Sequence, residues 1–201
     1  LTVNLFAAGN FNFAPGGGNS TASVTSDART GLVTTAAGQT ISLVTATSGD
    51  IIVSQDVITS AGDVGLIAAN NIALANDITT GSAVNTSLVD LIALGGSITR
   101  TAGTVTSGEV AVAATAGIGA ATANNRLRTS TSKLAIGGLN VQPQGAGAPS
   151  AVVNAGDDFV ENVGAVALRV AGVNANGDID VTQDGANLTV DQFAAGDFNF
   201  A

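Results

Sequence analysis

Residues 49–68 read GDIIVSQDVITSAGDVGLIA, residues 70–93 read NNIALANDITTGSAVNTSLVDLIA, and residues 96–114 read GSITRTAGTVTSGEVAVAA. Each segment opens on a Gly or Asn turn pair and then takes three short apolar steps. The first steps are Ile51-Ile52-Val53, Ile72-Ala73-Leu74 and Ile98-Thr99-Arg100. The second are Asp56-Val57-Ile58-Thr59, Asp77-Ile78-Thr79-Thr80 and Gly103-Thr104-Val105-Thr106. The third are Asp63-Val64-Gly65-Leu66, Asp90-Leu91-Ile92-Ala93 and Glu109-Val110-Ala111-Val112. The unit is thus about 20 residues long, at the short end of the solenoid repeats, with three strand-like steps. The extra residues from Ala83 to Ser87 read as a loop insertion in the middle unit.

Alternation of apolar and polar residues over a few positions argues for half-buried strands. Gly, Asn and Asp between the runs supply turns and tolerate left-handed backbone. Runs this short cannot bury enough area alone. Stacked on equivalent neighbours, they share one continuous core and pair their backbones along the axis. The expected fold is all-β: a right-handed parallel β-helix, or β-solenoid, with three short strands per rung. Right-handed coiling is the default for parallel crossovers.

The same grammar recurs at Gly38-Gln39-Thr40-Ile41-Ser42-Leu43, at Gly177-Asp178-Ile179-Asp180-Val181 and at Gly196-Asp197-Phe198-Asn199-Phe200. The region 124–150 departs from it, with Arg126, Arg128, Lys133, Pro143 and Pro149. It reads as a looser rung with a surface loop from Gln142 to Ser150.

A longer repeat links the two ends. Residues 1–14 read LTVNLFAAGNFNFA and residues 188–201 read LTVDQFAAGDFNFA, identical at 11 of 14 positions, with Leu188 the counterpart of Leu1. Residues 1–187 are therefore expected to be one module of a tandem array, and 188–201 the start of the next. Six of the seven phenylalanines lie in these segments: Phe6, Phe11, Phe13, Phe193, Phe198 and Phe200. Phe11 and Phe13 alternate, as do Phe198 and Phe200, so each pair is expected to share one strand face. They are the candidates for contacts between modules or subunits, or for filling a wider rung.

Composition removes several chemistries. The chain has 201 residues with no Cys, Met, Trp, Tyr or His, and 26 Gly. Without Cys or His there is no classical zinc site and no Ser-His-Asp or Cys-His nucleophile. Fifteen acidic residues against six basic ones give a net charge of -9, the wrong sign for a nucleic-acid partner. The weakly polar stretch from Val110 to Ala123 is too short to form a membrane-spanning helix, and no transmembrane segment is expected.

The remaining candidates are acidic. Asp56 aligns with Asp77, and Asp63 with Asp90 and Glu109, so carboxylates are expected on neighbouring rungs as solvated turn residues, with calcium as the alternative. Asp157, Asp158 and Glu161 form the tightest acidic group in the sequence, a candidate metal cluster or acid–base pair with Arg169 as the nearest base. With six scattered bases and no Tyr or His, the reading is no catalytic residue, no cofactor and no enzyme. Thr104-Val105-Thr106 and Thr129-Ser130-Thr131 are read as ordinary strand residues rather than as a flat Thr binding face.

Units such as GDIIVSQDVITSAGDVGLIAANNIALAN, residues 49–76, resemble the repeats of filamentous-haemagglutinin-type large bacterial exoproteins. The resemblance covers residues 38–136 well and the rest loosely. It implies a secreted, right-handed β-helical surface fibre or adhesin, at the cell surface and without disulfides. The family's secretion domain typically carries an Asn-Pro-Asn motif, and no Asn-Pro pair occurs here, so the chain resembles the shaft. The expected function is a structural module of a bacterial surface fibre or sheath that self-associates through stacked rungs. The alternatives are an adhesin shaft whose loops bind carbohydrate or a host surface and, behind it, a polysaccharide-degrading β-helix enzyme.

Overall fold

In a computed structural model, residues 31–45, 47–81, 86–136, 156–164 and 178–189 are described, together with the backbone of strands at 2–3, 6–8, 11–13, 22–24, 166–170, 190–192 and 198–200. The chain winds as a β-solenoid of three parallel sheets with five, nine and eight strands. Up to Glu109–Ala114 the strands enter these sheets in strict rotation, each pairing with strands one turn before and one turn after it; from Leu127–Ser130 on they alternate between the nine- and eight-stranded sheets, while the row of Ile98 continues through single bridges to Ile118 and Asp158. Among the described residues the sole helical element is the 3-10 turn Ala123–Asn125.

The register follows the grammar of the sequence. On the five-stranded sheet Ile51 pairs with Ile72, and Ile72 with Ile98. On the nine-stranded sheet Val57 pairs with Ile78, and Ile78 with Val105. On the eight-stranded sheet Val64 pairs with Val89, and Val89 with Val110. A turn takes about 23 residues, somewhat more than the sequence unit suggests. Farther on, Leu134 pairs with Leu168, and the longer turn between them contains the anticipated loop. That loop, Gln142 to Ser150, lies outside the described residues.

One core runs the length of the coil. Ile51, Ile72, Ile98, Val57, Ile78, Val64, Val89, Leu66 and Leu91 are all fully buried in it. Stacking like upon like explains the bias to Val, Ile, Leu and Ala, because each layer must repeat the cross-section of the last. The three sheets differ on their outer sides. On the five-stranded sheet Ile52 and Thr99 are exposed. On the nine-stranded sheet Val33, Ile58, Thr79, Thr106 and Ser130 are half-buried. On the eight-stranded sheet the strand Leu88–Ala93 is buried on both sides.

A column of hydroxyls fills the corner between the nine- and eight-stranded sheets. Thr34, Thr59, Thr80, Ser107 and Thr131 are all buried there. The Thr80 hydroxyl donates to Ser107 Oγ at 2.8 Å, and Ser107 donates to the Ser87 carbonyl at 2.7 Å. Thr131 donates to the carbonyls of Gly108 and Lys133 at 3.1 and 2.9 Å. Carbonyls leave the ladder at a corner, and a buried carbonyl without a donor is costly. Short hydroxyl side chains supply that donor without widening the turn.

The two copies of the terminal repeat occupy different sheets. Thr2–Val3 begins the five-stranded sheet, whereas its counterpart lies in Leu188–Gln192, at the end of the eight-stranded sheet. Phe11–Phe13 begins the eight-stranded sheet, whereas Phe198–Phe200 ends the nine-stranded one.

Candidate functional site

The acidic turn residues are built into the backbone of neighbouring turns. Asp50 Oδ1 accepts the amides of Asn71, backbone at 3.0 Å and side chain at 2.9 Å. Asp56 accepts the Asp77 amide at 3.3 Å, and Asp77 accepts the Thr104 amide at 2.8 Å. Asp63 accepts the Leu88 amide at 2.9 Å. A carboxylate at a corner thus accepts an amide at or just before the start of the strand one turn above, a charge-assisted bond that links turns.

The expected ladder of Asp63 with Asp90 and Glu109 needs one correction. Leu88, not Asp90, pairs with Glu109, and Val89 pairs with Val64, so Asp63 stands level with Leu88. Asp90 lies two residues on, paired with Gly65 and Ala111. The insertion before Ser87 makes the two alignments equivalent in the sequence. A slip of two residues keeps every side chain on its own face, so alternation cannot distinguish them.

Asp90 is consequently not a solvated turn residue. It sits on the outer side of the eight-stranded sheet and is 1% exposed. Its row runs Ser42, Gly65, Asp90, Ala111, Ala135. Burial pushes its carboxyl pKa up from 3.8 to about 8. Its Oδ2 and the Ser42 hydroxyl are buried without a hydrogen-bond partner.

Asp157, Asp158 and Glu161 are not brought together. Asp157 is exposed and its Oδ1 accepts the Asp178 amide at 3.0 Å. Asp158 is fully buried at the start of the strand Asp158–Val163. Glu161 lies 3.9 Å from Arg128. Among the described residues no three acidic side chains are grouped to hold a metal.

One basic residue of the irregular region, Arg126, forms a staple that the sequence did not disclose. Arg126 reaches Asp180, far along the chain, with Nη1–Oδ1 at 3.0 Å and Nη2–Oδ2 at 2.8 Å. Its guanidinium also lies 5.6 Å from the centre of the Phe159 ring. Leu127 pairs with Val160, and Val160 with Val181, so the pair spans two turn spacings across the long turn. A bidentate Arg–carboxylate pair of this kind, largely shielded from water, contributes more than an exposed one. Arg126→Ala is expected to destabilise the last turns by about 1.5 to 3 kcal/mol, the range of bonds to charged groups. Amide hydrogen exchange checks this: protection should fall for Ile179 to Asp184 and stay unchanged for Ile51 to Leu74.

Thr129 and Thr131 are buried, so the Thr-rich step faces inward there. Thr129 donates to Asn162 Oδ1 at 2.7 Å, inside the coil. At this register the inward row changes from Leu32, Val57, Ile78 and Val105 to Thr129, Asn162 and Gln183.

For the phenylalanines the backbone register is defined. Phe6 pairs with Leu32, Phe11 with Ile41 and Phe13 with Leu43. Phe198 pairs with Ile179 and Phe200 with Val181. Their side chains, and Phe193 altogether, lie outside the described residues. No helix among the described residues is long and apolar enough to cross a membrane. Compared with protein-family models, curated proteins and solved structures, the chain gives no match.

Proposed function

We propose that this chain is one module of a secreted, tandem-repeat β-solenoid that builds a fibre or sheath on a bacterial surface. The observation that supports this most is the backbone pairing. Every turn uses its edges on the next, and the second copy of the terminal repeat is already paired onto the first module, through Leu188–Gln192 and Phe198–Phe200. A coil built this way continues without a break into a following module. The acidic residues serve as caps between turns, the net charge keeps fibres apart in solution, and the module carries no catalysis.

Electron microscopy of the purified chain at rising concentration, and of the longer array, tests the reading. Filaments with an axial repeat of about one module are expected, at ~4.8 Å per turn. Compact monomers at every concentration together with a non-periodic array would refute it. Glycan-array binding that disappears when the loop Gln142 to Ser150 is shortened would replace it with the adhesin reading.

A further inference from the structure

We infer that Asn162 is a register lock: its buried amide fixes how the turn after the long connector seats on the turn before it, and so lets the coil carry an insertion without losing the order of its rows. The inference goes beyond the fibre reading and does not depend on it. In the earlier turns short connectors set the register. Residues 69–71 join Val64–Ala68 to Ile72–Leu74, and residues 94–97 join Leu88–Ala93 to Ile98–Arg100. Connectors that short leave no slack, because a slip of two residues needs ~6.6 Å of extra chain. Residues 137–157, by contrast, join Lys133–Ile136 to Asp158–Val163. A stretch of that length absorbs a slip of two residues at almost no cost in closure entropy. Alternation does not forbid the slip either, since a shift of two keeps every side chain on its own face. Directional side-chain bonds must therefore set this pairing.

Asn162 supplies them. It is fully buried on the inner side of Asp158–Val163, opposite Thr129. Its Oδ1 accepts the Thr129 hydroxyl at 2.7 Å and the Thr131 backbone amide at 3.2 Å. Its Nδ2 donates to the Thr131 carbonyl at 3.3 Å, to the Gly164 carbonyl at 3.1 Å and to Gln183 Oε1 of the following turn at 3.4 Å. The equivalent positions of earlier turns are Val57, Ile78 and Val105, whose apolar contacts are non-directional. A slip of two residues would set Thr129 against Val160 or Gly164 and take the amide away from the buried Thr131. Buried backbone groups left unpaired are costly, so one register is favoured. A single polar side chain in an apolar seam fixes the register of coiled coils by the same logic. On the outside, the Arg126–Asp180 pair opposes the same slip, because Ile179–Asp184 is paired along its length with Asp158–Val163.

Disulfide trapping reads the register directly, because the chain has no native cysteine. Arg128 and Glu161 are paired on the outer side. Paired residues on adjacent parallel strands lie within disulfide reach, and residues two positions off do not. Arg128→Cys with Glu161→Cys therefore reports the observed register. Arg128→Cys with Phe159→Cys, or with Val163→Cys, reports a slip in one direction or the other. In chains that keep Asn162, including Arg126→Ala, only the first pair should oxidise. The variant Arg126→Ala/Asn162→Val removes the outer tie and gives the inner row the valine of its earlier turns. There a slipped pair should oxidise, its yield rising on the order of tenfold over Arg126→Ala alone, the factor that one hydrogen bond supplies. Should circular dichroism show that this variant does not fold, Arg126→Ala/Asn162→Thr, which keeps a polar inner group but gives up the amide, takes its place with the same expectation. Oxidation of the first pair alone in a folded Asn162 variant would overturn the inference. So would oxidation of a slipped pair in a chain that keeps Asn162.

Discussion

Gly103→Ala should lower the melting temperature by about 10 °C, corresponding to roughly 3 to 5 kcal/mol in a chain of this size. Two penalties combine at this position. Its φ is +81°, in the left-handed region where a Cβ costs about 1 to 2 kcal/mol. An added Cβ would also fall on the backbone carbonyl of Asn76, one turn earlier. Backbone cannot move aside without breaking the ladder on either side of it. Gly164 provides the control: its φ is +96°, but nothing lies within 4 Å of an added Cβ. Gly164→Ala should therefore cost only the conformational part, about 1 to 2 kcal/mol. Thermal denaturation of the two variants separates close stacking of turns from backbone preference. Equal losses would mean that the turns do not approach one another as closely as described.

Asp90→Asn should stabilise the protein above neutral pH and do little at pH 4. The carboxyl has a folded-state pKa of about 8 against 3.8 for the free group, raised by burial. In the unfolded chain it ionises freely above pH 4. In the folded chain it must keep its proton or bury a charge. Its contribution is thus least unfavourable below pH 4, worsens as pH rises from about 4 to 8, and levels off above that. By pH 8 the asparagine variant should be ahead by roughly 5 kcal/mol, taking ~1.4 kcal/mol per pH unit of displacement. Denaturant melts at pH 4 and pH 8 measure the difference directly. A constant gap between the two proteins at both pH values would show that Asp90 is solvated. Asp90→Ala, which matches Ala111 and Ala135 on the same row, should follow the same pH trend.

Much of the architecture was legible in the sequence, and its limits have a common cause. The strands Ile51–Val53, Ile72–Leu74 and Ile98–Arg100 fall where the first apolar steps do, and the second and third steps likewise coincide with strands. These were readable because a stacked coil forces one period on every layer. Period-two alternation marks which face a residue takes but not which rung partner it meets. Asp90 was therefore misaligned by two residues across an insertion, and its burial was missed with it. The hydroxyl column was hidden for a related reason: Thr and Ser are also good strand and turn residues, and only the corner geometry turns them inward. The Arg126–Asp180 pair joins distant residues across a turn of irregular length, so no spacing announces it. The grouping of Asp157, Asp158 and Glu161 was local in sequence only. Alternation along a strand parts neighbours, placing Asp157 at the surface and Asp158 inside.

The stacking itself is tested most directly by pulsed electron paramagnetic resonance between spin labels along one outer row. Val33 pairs with Ile58, Ile58 with Thr79, Thr79 with Thr106 and Thr106 with Ser130. With one label fixed at Ser130, moving the other from Ile58 to Val33 adds one full turn of the coil and all the chain in it. The mean distance should grow by one strand spacing, ~4.8 Å, to about 19 Å between backbones for the Val33 pair. A step of many times that spacing, or no step at all, would show that these segments do not lie on one another turn by turn.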